Sequence, residues 1–317
     1  MRDAVHIEGL GKTYRLGLRL RKLVALEALD LTVSEGSVFG FVGPNGAGKS
    51  TTIKILVGLV KPTTGRATIF GETVPETQSR RAVGYLPENP SFYDFLRPLE
   101  VLSLMGHLSG LKGPSLRRRC EEVLSLVGLS QAADLTVRKF SKGMVQRLGL
   151  AQAVLHDPPL LILDEPMSGL DPIGRAEVRD LILDLGRRGK TIFFSTHILA
   201  DVESICDRAG MLLHGRLVRH GTLSQLLDGS IRSVELLCTG LSETAATALR
   251  QLAESFAQGP DGWAFSFKDP AAANEAVARV VAAGGRVASL VPQRENLEQS
   301  FVRLAREEEK PPRAVAV

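Results

Sequence analysis

The nine residues from Gly43 to Thr51, GPNGAGKST, constrain this chain more than any other stretch. They follow the apolar run SVFGFV and precede TTIKILVGL, whose apolar residues recur with helical spacing. A glycine-rich turn between a buried strand and a helix fits G-x-x-x-x-G-K-[ST], and it gathers backbone amides at a helix N-terminus, where they converge on an anion. Gly46, Ala47 and Gly48 can wrap phosphate oxygens, Lys49 can reach the outer phosphates, and the Ser50 hydroxyl can sit on Mg²⁺. Gly43, Pro44, Asn45 and Thr51 complete the loop. Strand, loop and helix in that order predict an α/β fold with a mostly parallel sheet covered by helices.

The rest of the chain agrees with that frame. Strand-like runs alternate with helical patterns as far as about residue 228, and LLILDEP is a second clear strand. It ends in two carboxylates, which are costly to bury unless they face a metal or water. Asp164 would hold Mg²⁺, while Glu165, pointing the other way on the pleat, would polarise an attacking water. Leu99 to Ala153 reads as helix almost throughout, an inserted helical subdomain at about 91–155. From residue 229 to 306 the pattern restarts on a smaller scale. SVELLC, WAFSF and RVASLV read as strands, with helices over Glu243–Phe256, Ala271–Ala283 and Asn296–Arg306, and so form a second, compact α/β unit. The last residues, 307–317, are charged and then broken by proline, and are expected to fray.

Bulk properties exclude several classes. With 44% hydrophobic and 23% charged residues among 317, the chain can bury one large core and a smaller one. A net charge of +4 and a pI near 9.0 are too modest at this length to indicate a nucleic-acid partner. Cys120, Cys206 and Cys238 are far apart, which argues against a disulfide framework or a zinc site and favours a reducing compartment. The N-terminus lacks the apolar core of a signal peptide, and no window approaches about 18 apolar residues. A role at a membrane would therefore need a partner to supply the spans.

A second anion-binding motif decides among phosphate-loop proteins. FSKGM, from Phe140 to Met144, opens the helix QRLGLAQAVL just before LLILDEP. This order resembles the signature of ABC (ATP-binding cassette) proteins, usually LSGGQ, with Lys142 and Met144 replacing glycine and glutamine. Other family elements stand in sequence over residues 4–228: the aromatic Tyr14 in GKTYR, MSGLDP after Glu165, and TIFFSTHIL ending at His197. GYLPEN stands at the family's Q-loop, with Glu88 in place of glutamine. YLPE, SKGM and the short C-terminal extension are similar to those of ABC-2-type bacterial exporter ATPases.

The resemblance implies an ATPase that uses ATP and Mg²⁺. Tyr14 would stack on adenine. Lys49, Glu165 and His197 would carry the chemistry, with Ser50, Asp164 and Glu88 on the metal. Ser141, Gly143 and Asp171 would serve the nucleotide of an opposite subunit, so a second cassette, identical or paralogous, is an expected partner. The other is an integral membrane permease, which would hold the chain peripherally on the cytoplasmic face of the membrane. Chromosome-maintenance relatives are excluded by the lack of long heptads, and translation-factor relatives by the single phosphate loop. A soluble single-cassette regulator without a permease remains the alternative. The basic segment Arg15–Lys22, RLGLRLRK, is read as a hairpin arm suited to acidic lipid or to the partner's cytoplasmic end.

Overall fold

The computed structural model describes residues 2–16, 21–227, 231–260, 262–294 and 297–308. The chain divides into two compact units, Met1–Leu226 and Leu227–Val317. In the first, the strands β1 (Asp3–Leu16), β2 (Arg21–Ser34), β4 (Thr64–Ile69) and β5 (Glu72–Thr73) form an antiparallel sheet in the order β2-β1-β4-β5. The second sheet runs β10-β9-β3-β8-β7-β6. Its strands are β3 (Val38–Val42), β6 (Val83–Leu86), β7 (Leu160–Leu163), β8 (Thr191–Thr196), β9 (Arg208–Leu213) and β10 (Arg216–Thr222). All its pairs are parallel except β9 with β10. Continuous burial explains why β3 and β7 read as solid apolar runs: every residue of both is buried, as is every residue of β8.

Among the described residues, seven α-helices are interleaved with these strands: α1 (Lys49–Leu56), α2 (Thr77–Arg81), α3 (Pro98–Leu108), α4 (Gly113–Leu126), α5 (Lys142–Val154), α6 (Pro172–Arg187) and α7 (Leu199–Ile205). Between β6 and β7 lie α3, α4 and α5. Each start has a local cause. Pro98 stands in the first turn of α3, and Glu100 accepts from the Arg97 amide at 2.7 Å; the Ser141 hydroxyl caps α5, and the Asp171 carboxylate caps α6 ahead of Pro172. Leu116, Cys120, Val123 and Leu124 recur at three- and four-residue intervals on α4 and are buried, with Val101 and Leu102 of α3. Among the described residues no helix is long and apolar enough to cross a membrane.

Because β3, β7 and β8 are parallel, the segments leaving their carboxyl ends emerge on one side of the sheet. The phosphate loop follows β3, Asp164 and Glu165 follow β7, and His197 follows β8. The expected basic arm is the far end of the β1–β2 hairpin, where Arg15 pairs with Lys22 and Leu16 with Arg21. Residues 17–20 of that arm lie outside the described residues.

The second unit contains β11 (Ile231–Thr239), α9 (Glu243–Arg250), β12 (Ser255–Gly259), β13 (Gly262–Phe267), α10 (Pro270–Ala282), β14 (Arg286–Arg294) and α11 (Leu297–Glu308), after the short α8 (Leu223–Leu226) that closes the first. Its antiparallel sheet runs β12-β13-β11-β14. Alternate residues Val234, Leu236 and Cys238 of β11 and Trp263, Phe265 and Phe267 of β13 pack with Ala246 and Leu249 of α9 and Ala273, Ala276 and Val280 of α10. The helix expected over Glu243–Phe256 stops at Arg250, and Phe256 lies in β12 opposite Phe265. Leu252, Ala253 and Phe256 continue a helical spacing, but pairing with β13 overrides it, and the Arg250 guanidinium stacks on Phe256 and Trp263, 4.6 Å from each ring. The end expected to fray begins in α11, which reaches Glu308; residues 309–317 lie outside the described residues.

Candidate nucleotide site

The loop holds a shape that only glycine permits at its last turn. Gly48 has φ of 110°, and a Cβ there would lie 2.6 Å from the Ala25 carbonyl oxygen and 2.7 Å from Leu26 Cδ2. Strand β2 therefore backs the loop directly. The turn between β9 and β10 supports it too, since the Gly215 amide donates to the Ala47 carbonyl at 2.9 Å and the Gly215 carbonyl accepts from the Glu27 amide at 2.9 Å. The Gly43 amide donates to the Thr196 carbonyl on β8 at 3.3 Å.

A cleft of about 350 Å³ opens over this loop. Its lining brings together Tyr14 from β1, Leu23 and Ala25 from β2, the loop residues Pro44 to Thr51 other than Ala47, and Glu88, Glu165, Ser168 and His197. Lys12 Nζ stands 5.0 Å from the centre of the Tyr14 ring, so one face of that ring carries a cation. Residues from six separate segments thus share one cavity.

At the base of the cleft, Lys49 is 5% exposed and donates to the Gly43 and Pro44 carbonyls at 2.7 and 3.3 Å. Its Nζ also lies 3.3 Å from Glu165 Oε1, and His197 Nδ1 lies 2.8 Å from Glu165 Oε2. With the carboxylate ionised it can only accept, and this contact then needs the ring proton on Nδ1. Asp164, 3% exposed, accepts from Ser195 Oγ at 2.6 Å and from Ser50 Oγ at 3.3 Å. Ser195 Oγ in turn accepts from the Glu165 amide at 2.9 Å. Burial, and then the Asp164 carboxylate, push the Tyr85 phenol up to about 12, so it remains a neutral hydroxyl.

One expectation changes here. Strand β7 ends at Leu163, and Glu165 has φ of 47°, so its direction is set by a left-handed residue rather than by strand alternation. Asp164 and Glu165 still receive different partners, the first two hydroxyls and the second two nitrogen groups.

Ser50 Oγ beside Asp164, with the Glu88 side chain on the same cleft, forms an oxygen-only donor set. That chemistry suits a hard divalent cation such as Mg²⁺, which takes few protein ligands and shares the rest with phosphate and water. The residues fit the ion. Ser141, Gly143 and Asp171, by contrast, do not line this cleft. Ser141 Oγ accepts from the Met144 amide at 3.3 Å, and Asp171 Oδ1 accepts from the Gly174 amide at 3.1 Å, so each caps a helix in its own chain.

Sequence reasoning missed Ser195. The available signal was the set of hydroxyls in TIFFST, Thr191, Ser195 and Thr196, because hydroxyls on a fully buried strand demand partners.

Comparison with known proteins places this geometry. The family described as ABC transporter matches residues 26–168. An uncharacterized ABC transporter ATP-binding protein of Synechocystis sp. is 42% identical over 301 residues, covering 94% of this chain and 83% of that protein. The bacitracin transport ATP-binding protein BcrA of Bacillus licheniformis is 44% identical over 197 residues, 61% of this chain and 63% of BcrA. The fold is similar to that of a dimeric ATP-binding cassette in a post-hydrolysis state bound to ADP and Pi, with a TM-score of 0.63 and 27% identity over 69% of this chain and 98% of that one. The phosphate loop, Glu165 and His197 thus line one cleft, with Asp164 bonded to the loop's Ser50, in a chain that belongs to the ABC transporter family as an ATP-binding and ATP-hydrolysing subunit.

Proposed function

We propose that the chain powers export of a substrate through a separate integral membrane permease, working as one of two cassettes that close on ATP and reopen after hydrolysis. The observation that carries this reading is the Glu165 carboxylate, buried where the phosphate loop and the β8 end meet and contacted by both Lys49 and His197. A buried base at the floor of a phosphate cleft serves hydrolysis, not nucleotide storage.

Tyr14 stacks on adenine, while the amides of Gly46 to Gly48 and the Lys49 ammonium take the β- and γ-phosphates. Ser50, Asp164 and Glu88 would hold Mg²⁺, which would neutralise charge on the phosphate oxygens. Glu165 accepts a proton from water as the water oxygen bonds to the γ-phosphorus; the bond to the bridging oxygen breaks, and ADP leaves with that electron pair. His197 steadies Glu165 and contacts the γ-phosphate. Ser141 Oγ, the Gly143 amide and the N-terminus of α5 complete the site of the opposite subunit, and Asp171 meets that subunit's loop. Ser141 accepts from Met144, which leaves its own proton available to a partner's phosphate.

The bacitracin transport relative supports coupling to transport, and the dimeric cassette of similar fold supports pairing. Tyr93 and Phe95 in the loop after Glu88 are 61% and 68% exposed, sit with ring centres 5.7 Å apart at a tilt of 35°, and offer an apolar surface to a permease helix at the cytoplasmic face of the membrane. The basic β1–β2 arm would lie against acidic lipid there, holding the chain peripherally. The test is co-expression with candidate integral membrane permeases. Co-purification and ATP turnover that rises in the reconstituted complex are expected. Turnover indifferent to every membrane partner would instead favour the soluble regulator.

A further inference from the structure

Asp201 joins two segments that the mechanism treats separately. It is only 8% exposed, near the start of α7, and each carboxylate oxygen has its own partner. Oδ1 accepts from Arg175 Nη2 at 2.6 Å, and Oδ2 accepts from Thr196 Oγ1 at 3.3 Å. Arg175 lies in the first turn of α6, and its amide donates to the Asp171 carbonyl at 2.9 Å. Thr196 Oγ1 also accepts from the Ile198 amide at 3.0 Å. The two residues that flank His197 are therefore tied to a single hydroxyl, and that hydroxyl is tied through Asp201 to the helix that Asp171 begins.

An ion pair between a half-buried arginine and a buried carboxylate is a poor way to gain stability, because desolvation offsets much of the attraction. It is a good way to fix direction, since Arg175 Nη2 and Thr196 Oγ1 each hold a different oxygen of Asp201 and the carboxylate cannot turn without losing one of them. We propose that Arg175 and Asp201 are positioning residues for ATP hydrolysis: they transmit the placement of α6, and with it Asp171, to the loop that carries His197. The proposal rests on the reading of His197 as the residue at the γ-phosphate.

The test is ATP turnover by the full chain in four forms: unaltered, Arg175→Met, His197→Ala and the double variant, with ATP affinity and melting temperature measured for each. Arg175→Met is expected to lower kcat by about ten- to a hundredfold, the range in which misplacing a reacting group acts, with KM for ATP nearly unchanged. Arg175→Lys, which returns one donor, should recover much of that loss; a merely structural role would move melting and affinity together. In the His197→Ala background, Arg175→Met should cost nothing further, because it acts through a side chain already gone. Equal losses in both backgrounds, or unaltered kcat in Arg175→Met, would overturn the link while leaving His197 its role. Unaltered turnover in His197→Ala would instead remove the reading on which the link rests. Should Arg175→Met fail to fold, Asp201→Asn keeps the side-chain shape and makes the same comparison.

Discussion

Lys49 Nζ lies 3.3 Å from Glu165 Oε1, so the cation of the phosphate loop and the candidate base are in contact before any phosphate is considered. Lys49 has three protons, and its other neighbours are the Gly43 and Pro44 carbonyls. A γ-phosphate entering the loop competes with all three. Glu165→Gln keeps the shape, removes the base, and takes a negative charge away from Lys49. Turnover should fall by about 10²-fold or more, while ATP affinity is retained or increased and ATP-driven dimerisation persists. Turnover assays with light scattering in ATP and Mg²⁺ check this. Hydrolysis above about a tenth of the unaltered rate, where loss of a general base ordinarily costs more, would mean that Glu165 is not the base.

Ser195 supports both carboxylates at once, donating to Asp164 and accepting from the Glu165 amide. Ser195→Ala leaves a buried carboxylate oxygen and a buried amide each one partner short. We expect a stability loss of about 1–3 kcal/mol and a fall of about 10- to 100-fold in Mg²⁺-supported turnover, as when an outer-shell ligand is removed. Titrating Mg²⁺ at saturating ATP separates the two effects. An unchanged half-saturating Mg²⁺ concentration would show that Ser195 serves the fold alone.

Ser141 lies outside its own chain's cleft and caps α5. Ser141→Arg should leave ATP binding by the single chain near its unaltered value and lower stability by about 1 kcal/mol through the lost cap. Dimer closure and hydrolysis should both be lost. Equal loss of ATP binding would place Ser141 in the cis site instead.

Glu88 is exposed and lines the cleft beside the loop. Glu88→Ala should lower turnover substantially, whereas Glu88→Gln, which keeps an oxygen acceptor, should keep most of it, with ATP affinity preserved in both. The assay belongs in the assembled transporter. Unaltered turnover in Glu88→Ala would reduce this loop to a connector.

Much of this site was legible because its parts are local. The phosphate loop is nine consecutive residues, and Asp164 and Glu165 close one buried strand, so spacing alone carries their chemistry. What escaped is long-range or conformational. Ser195 meets Asp164 across 31 positions and Arg175 meets Asp201 across 26, and nothing in either local sequence names the other partner. The left-handed turn at Glu165 had no glycine to announce it. In the second unit, Phe256 kept the spacing of the helix before it, and only the edge of β13 drew it into a strand.

The phosphate loop is braced from behind by Ala25 and Leu26 of β2 and by the Gly215 turn. Its backbone freedom, on the order of 1–2 kcal/mol for each residue fixed, is therefore surrendered when the chain folds and not when nucleotide arrives. A preorganised cradle returns that difference as affinity. The Gly215 turn, which never touches phosphate in this scheme, thereby becomes a determinant of nucleotide affinity: loosening it makes each binding event order the loop afresh.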